Sequence, residues 1–264
     1  MAVKFCSIAS GSSGNSAFVG TQHTKILIDV GVSGKHIIQA LSSLEVAGNA
    51  INAIFVTHEH IDHIKGVGVI SRKFDIPIYA TCGTWEAMEN QIGKIAEKNK
   101  RFVYAQEKCV VNDMCIYPFI IPHDAKEAVG YSIETENHKI TIATDLGHIT
   151  DDIKEKLFDS ELLLLEANHD EEMVKNSCYP YYLKQRILGK KGHISNNTAG
   201  HLLCDIMSEK LRYVLLGHMS EQNNYPRLAY QTVKNILEKN NIKIGKHFQL
   251  DMALRYQSSK VVEL

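Results

Sequence analysis

Three imidazoles and the Asp62 carboxylate fall within the six residues His58-Glu59-His60-Ile61-Asp62-His63. The segment directly follows the apolar run Ala53-Ile54-Phe55-Val56 and directly precedes a helical pattern. Residues two apart on an extended chain point the same way, so His58 and His60 can converge on one ion. Asp62 and His63, in the turn entering the helix, then reach a neighbouring point. Grouping these polar side chains at the end of a buried strand disfavours metal-free folding, and a bound cation removes the conflict. The chemistry such a group supports is metal-assisted hydrolysis. His23, His36, His138 and His148 stand alone in polar segments, and His201 and His247 have no patterned neighbours, so none of them is a ligand candidate.

The elements that must position this motif are legible as hydrophobic periodicity. Strands are expected at Val3–Ala9, Ser16–Val19, Lys25–Val30, Ala53–Thr57, Ile78–Ala80, Phe102–Tyr104 and Met114–Ile121. A hairpin, Gly130–Glu134 and Lys139–Thr144, turns at Glu136-Asn137-His138, and strands return at Leu162–Glu166 and Tyr213–Leu216. Helical spacing fits Gly34–Val46, Ile64–Phe74, Thr84–Lys98, Ile149–Phe158, Glu171–Asn176, Tyr181–Leu188, Asn196–Met207 and Pro226–Glu238. Each sheet must cover both of its faces, so the order predicts an α/β protein with two sheets packed face to face and helices outside. At 264 residues, without an internal repeat or linker, residues 1–264 are expected to form a single domain.

A net charge of −1 gives no global field toward nucleic acid or an anionic membrane, so affinity for a polyanion must be local or come from metal. The start Met1-Ala2-Val3-Lys4-Phe5-Cys6 has no basic region followed by a long apolar run, and no apolar stretch reaches the roughly 18 residues of a membrane span. A cytoplasmic protein without membrane partners is expected. Cys6, Cys82, Cys109, Cys115, Cys178 and Cys204 form no C-x-x-C pair and read as free thiols.

His58-x-His60-x-Asp62-His63 after a strand resembles the signature of the metallo-β-lactamase superfamily. Other motifs of that family have counterparts in order: Asp29 ending Ile26-Leu27-Ile28-Asp29, His123 in Ile120-Ile121-Pro122-His123-Asp124, Asp145 ending Ile142-Ala143-Thr144-Asp145, and His218 in Leu215-Leu216-Gly217-His218. Three further segments resemble one branch, the WalJ/YycJ (VicX) group. They are Ser10-Gly11-Ser12-Ser13-Gly14-Asn15-Ser16, Glu166-Ala167-Asn168-His169-Asp170 and Gly192-His193-Ile194-Ser195-Asn196. The resemblance implies a four-layer αββα sandwich of two mixed sheets, without the inserted second domain of larger relatives.

It also implies a ligand set: His58, His60 and His123 on one ion, Asp62, His63 and His218 on the other, and Asp145 bridging. These ligands exceed the roughly four that one zinc accepts, so two divalent ions are expected, zinc or manganese. Two cations about 3.5–4 Å apart can share a hydroxide, lower its pKa and clamp the attacking and leaving oxygens of a phosphodiester. Asp29 is expected behind the ligands, accepting an N–H from a ligand histidine or a loop amide. Asp62 and Asp145 also belong to the catalytic set, and His193 and His169 are candidate proton donors to a leaving oxygen.

Ser10–Ser16 could form an anion nest, with Ser13 and Asn15 as donors, or simply a hairpin turn. Asn168, Ser195 and Asn196 join it as substrate candidates through the branch segments. Between Tyr179 and Asn197, tyrosines accompany Lys184, Arg186, Lys190 and Lys191. Bases can stack on such rings while cations neutralise phosphates, although an ordinary solvated helix has the same composition. The resemblance therefore implies a nuclease, DNA favoured, similar to a 5'–3' single-strand exonuclease. The alternative is a hydrolase of a small ester, thioester or lactam using the same ions. A non-catalytic binding module is disfavoured because none of the expected ligands is missing, and the oxygen-reducing branch carries glutamate where this chain has His60.

Overall fold

A computed structural model describes residues 2–264. The strands form two seven-stranded sheets. The first has β1 (Lys4–Ala9), β2 (Ser16–Gly20), β3 (Lys25–Ile28), β4 (Ala53–Phe55), β5 (Ile78–Ala80) and β6 (Lys100–Phe102) in sequence order, with β14 (Val262–Glu263) beside β1. The second runs from β7 (Cys109–Val111) through β8 (Met114–Ile120), β9 (Val129–Glu134), β10 (Lys139–Ala143), β11 (Leu162–Glu166) and β12 (Tyr213–Gly217) to β13 (Gln249–Met252).

The chain divides into two compact units. One contains the residues up to Ile120, Ala125–His138 and Leu254–Leu264. Its core is built on β3 and β4, which pair in parallel with Ile28 opposite Phe55. Leu27, Ile54 and Val56 are buried with Ile37 and Leu41 of α1 (Gly34–Ser43), Val67 and Ile70 of α3 (Val67–Phe74), and Trp85 and Met88 of α4 (Cys82–Ile92). Parallel pairing puts the C-terminal ends of β3 and β4 on one edge, where Asp29 and Thr57 follow them.

The other unit contains Ile121–Asp124 and Lys139–Ala253. Here β10, β11, β12 and β13 are all parallel, with Ala143 opposite Leu165 and Glu166 opposite Gly217. Continuous apolar runs such as Leu162–Leu165 are what a sheet buried on both faces requires. Between these strands lie α5 (Asp151–Leu157), α6 (Glu171–Asn176), α7 (Tyr181–Leu188), α8 (Asn196–Asp205) and α9 (Pro226–Lys239). The carboxyl ends of parallel strands are where such sheets hold ligands, and Asp145, Glu166 and His218 all lie there.

Several boundaries depart from the periodicity. The helix expected at Ile64–Phe74 is two, α2 (Ile61–Ile64) and α3, broken at Gly66, whose N–H donates to the Val30 carbonyl at 2.7 Å. The helix expected to reach Lys98 stops at Ile92, because Gly93 adopts a left-handed φ of 74°. The strand expected at Phe102–Tyr104 lies at Lys100–Phe102. β7, β13 and β14 were not expected: each is short, and β13 reads Gln-Leu-Asp-Met, without an apolar run.

Candidate active site

The first unit carries one polar cluster around Thr57. Asp29 Oδ1 accepts the Thr57 N–H at 2.8 Å, and Oδ2 accepts the Thr57 hydroxyl at 2.9 Å and the His63 Nδ1–H at 2.8 Å. With its proton given to Asp29, the Thr57 oxygen accepts from His58 Nδ1 at 3.0 Å. This network assigns the tautomers: His58 and His63 carry their protons on Nδ1 and keep lone pairs on Nε2. His58 Nε2 lies 3.1 Å from His60 Nδ1, and the His58 and His63 ring centroids are 4.1 Å apart. His63 Nε2 lies 3.5 Å from Asp62 Oδ2. His58, His63 and Asp29 are buried, whereas His60 and Asp62 are partly exposed.

Asn15 locks the serine–glycine loop to this cluster. Its backbone N–H donates to the Asp62 carbonyl at 2.8 Å, and its side-chain amide contacts Asp62 Oδ2 at 3.2 Å and His63 Nε2 at 3.1 Å. Ser13, exposed in the same loop, accepts from Arg255. Burial pushes the Asp29 carboxyl upward, although the facing His63 and the Thr57 donors oppose it.

The second unit carries the other cluster, centred on the buried Glu166. Oε1 accepts from His193 Nδ1 at 2.7 Å and from His218 Nδ1 at 2.9 Å, and Oε2 accepts the Leu146 N–H at 2.7 Å and the Ile194 N–H at 3.3 Å. Burial alone would raise this carboxyl, but His193 and His218 outweigh it and hold Glu166 below the ordinary carboxylate range. His123 Nδ1 faces the Gly192 carbonyl at 3.3 Å, which only accepts, so His123 likewise keeps its lone pair on Nε2. His123 Nε2 and His218 Nε2 then both approach Asp145 Oδ1, at 3.6 and 3.5 Å. Imidazole lone pairs and a carboxylate turned toward one another repel unless a cation or added protons lie among them, so the donor set fits divalent metal. Asp145, Glu166, His193 and His218 form one group able to hold an ion.

Glu166 is the functional residue that sequence reasoning missed as such. The available signal was its place: a carboxylate ending the wholly apolar β11, as Asp29 follows β3.

The remaining candidates also belong to the second unit. His193 is partly exposed, its ring centroid 5.2 Å from that of His218. His169 is buried, its Nδ1 has no hydrogen-bond partner among the described residues, and desolvation lowers its pKa to about 4. Asn168 donates to the His218 carbonyl at 2.8 Å, which holds the strand end rather than facing solvent. Ser195 caps α8 by accepting the Thr198 N–H, and Asn196 exchanges amide bonds with Asn224. Lys184 and Arg186 lie on α7, Arg186 paired with Asp124, while Tyr181 and Tyr182 are exposed on the same helix. No helix among the described residues is long and apolar enough to cross a membrane.

Residues 24–219 match the family described as the β-lactamase superfamily domain. The exodeoxyribonuclease YycJ of Bacillus anthracis is 36% identical over 250 residues, covering 95% of this chain and 95% of that protein. The exodeoxyribonuclease WalJ of Streptococcus pneumoniae strain D39 is 35% identical over 249 residues, 94% of this chain and 93% of that one. Among solved structures, the metallo-β-lactamase fold protein YhfI of Bacillus subtilis superposes with a TM-score of 0.74 at 14% identity, covering 100% of both chains. That likeness shows the fold, the αββα sandwich that the family resemblance implies.

Proposed function

The chain belongs to the metallo-β-lactamase superfamily, and from that premise we propose that it is a two-metal-dependent exodeoxyribonuclease acting on single-stranded DNA. The observation that carries the metal requirement is the common tautomer: His58, His63, His123 and His218 each commit Nδ1 to an acceptor and keep Nε2 as a lone pair. We read the two units as halves of one domain, because the family match runs through residues of both. The ligand set we propose is the one the family likeness implies: His58, His60 and His123 would hold one ion and Asp62, His63 and His218 the other, with Asp145 shared.

When bound, such a pair supplies Lewis acidity toward a phosphodiester and lowers the pKa of water. Nitrogen and carboxylate donors suit zinc or manganese. The protein's own groups supply orientation and protons. Asp29 and Glu166 fix ring orientation and tautomer of His63 and His218. His193 is the group placed to hand a proton to the departing oxygen: Glu166 Oε1 accepts from its Nδ1 at 2.7 Å and fixes the ring, which is partly exposed. His169, buried and kept neutral by a pKa of about 4, is seldom protonated near neutral pH and is the poorer proton donor. Tyr181, Tyr182, Lys184 and Arg186 offer rings and charge to a strand on α7. Six free cysteines are consistent with a reducing cytoplasm.

Metal analysis of the purified protein, coupled to assays on end-labelled single- and double-stranded DNA, tests this reading. Mononucleotide release should stop with a chelator and return with zinc or manganese. Asp145→Asn, which tolerates the left-handed φ of 62° at that position, should reduce turnover at least a thousandfold while unfolding stays cooperative. Inert DNA alongside thioester turnover would instead make the protein a small-molecule hydrolase.

A further inference from the structure

The segment after β13 brings a cation to the serine–glycine loop. Arg255 Nη1 donates to Ser12 Oγ and Ser13 Oγ, each at 3.2 Å, and its guanidinium carbon lies 5.9 Å from the centre of the Tyr256 ring. Ser12 and Ser13 are exposed, and Tyr256 is 68% exposed. The backbone holds this arrangement: the Ser10 N–H donates to the Leu254 carbonyl at 3.0 Å, the Ser259 N–H to the Ser7 carbonyl at 2.8 Å, and the Ser7 N–H to Ser259 Oγ at 3.0 Å. The same short loop ends at Asn15, which contacts Asp62 and His63.

We propose that Arg255, Ser12 and Ser13 bind a backbone phosphate of single-stranded DNA, with Tyr256 stacking against a neighbouring base; this rests on the nuclease reading and adds a substrate subsite to it. A serine oxygen that accepts from a guanidinium keeps its own O–H to donate, so both hydroxyls and the guanidinium act as donors toward one anion. Guanidinium and phosphate match as a planar fork, and a charge-assisted contact is stronger than a neutral one. Tyrosine supplies a stacking face indifferent to base identity, as an enzyme degrading a strand of any sequence needs. Loop and arginine are tied together within one unit, so the subsite is preorganised.

The test is equilibrium binding of fluorescein-labelled oligothymidylate in the presence of chelator, read across a salt series. Arg255→Ala should weaken binding about tenfold and make the log–log salt dependence shallower by about 0.7, the share of one phosphate contact. Arg255→Lys should restore the slope and only part of the affinity. Tyr256→Ala should cost about tenfold with the slope unchanged, and Tyr256→Phe should bind as wild type. Unchanged affinity and slope in the two alanine variants overturn the subsite, as does a wild-type protein that binds no oligothymidylate. The two readings fail separately: these losses in a protein that releases no nucleotides keep the subsite and sink the nuclease, whereas active DNA degradation indifferent to Arg255 and Tyr256 sinks only the subsite.

Discussion

Which nitrogen of an imidazole keeps its lone pair is decided by the neighbour of the other nitrogen. Four histidines reach the same state here through different acceptors: His58 through a threonine hydroxyl, His63 through Asp29, His123 through the Gly192 carbonyl and His218 through Glu166. Asp29, proposed to stand behind a ligand histidine, accepts from His63 Nδ1 at 2.8 Å. His169 obeys the opposite physics, since it is buried and its pKa falls from 6.5 to about 4. The unfolded chain therefore takes up a proton that the folded one refuses. Stability from this residue is full above pH 6.5 and is lost as pH falls toward 4. At pH 4.5 the loss is about 2–3 kcal/mol by proton linkage. Urea unfolding of metal-free wild type and His169→Asn at pH 7 and pH 4.5 should show a smaller pH effect in the variant by that amount; equal slopes would remove His169 as the cause.

At the scale of elements, three strands end by the same device. Asp29 after β3, Asp145 after β10 and His218 after β12 have φ of 59°, 62° and 52°, the left-handed region that side chains other than glycine rarely adopt. Each costs about 1–3 kcal/mol, offset by the packing and hydrogen bonds around it, and each re-aims a polar side chain at the carboxyl edge of its sheet. The turn after Asp29 also needs a bare backbone: a Cβ on Gly31 would sit 1.6 Å from the Asp62 carbonyl oxygen and 2.7 Å from the Asn15 nitrogen. Gly31→Ala should destabilise the fold by about 3 kcal/mol or more. It should also weaken zinc binding, as the Asp62–His63 turn is displaced. Chemical unfolding and metal titration check both, and wild-type values in each would show that the loop yields without cost. Periodicity revealed most of these elements because their faces are buried, yet it ran the helix from Ile64 through Gly66, since a helix broken by one backbone hydrogen bond keeps its apolar spacing.

For the whole molecule, metal binding is expected to couple to stability. Ions that bind only the folded chain stabilise it by about 2.7 kcal/mol at one hundred times their dissociation constant. For a protein of this size that corresponds to a rise of roughly 5–10 °C in melting temperature. Calorimetry of chelated protein against zinc- or manganese-loaded protein should show it, and a midpoint indifferent to metal would remove the dinuclear centre from the fold's energetics. Read alone, the sequence determined most of the elements and their order, though not β7, β13 or β14, together with the family resemblance and the histidine–aspartate motif, because strand burial, turn residues and ligand spacing are local properties written in consecutive residues. Tertiary structure alone decided which nitrogen each histidine presents, that Glu166 anchors His193 and His218, that Ser195 and Asn196 serve a helix cap and an amide pair, and that Arg255 meets the serine loop. Apart from the local Thr57–His58 contact and the Ser195 cap, those outcomes depend on partners tens to hundreds of residues apart, such as Ser12 and Arg255, and only the folded chain brings such groups within hydrogen-bonding distance.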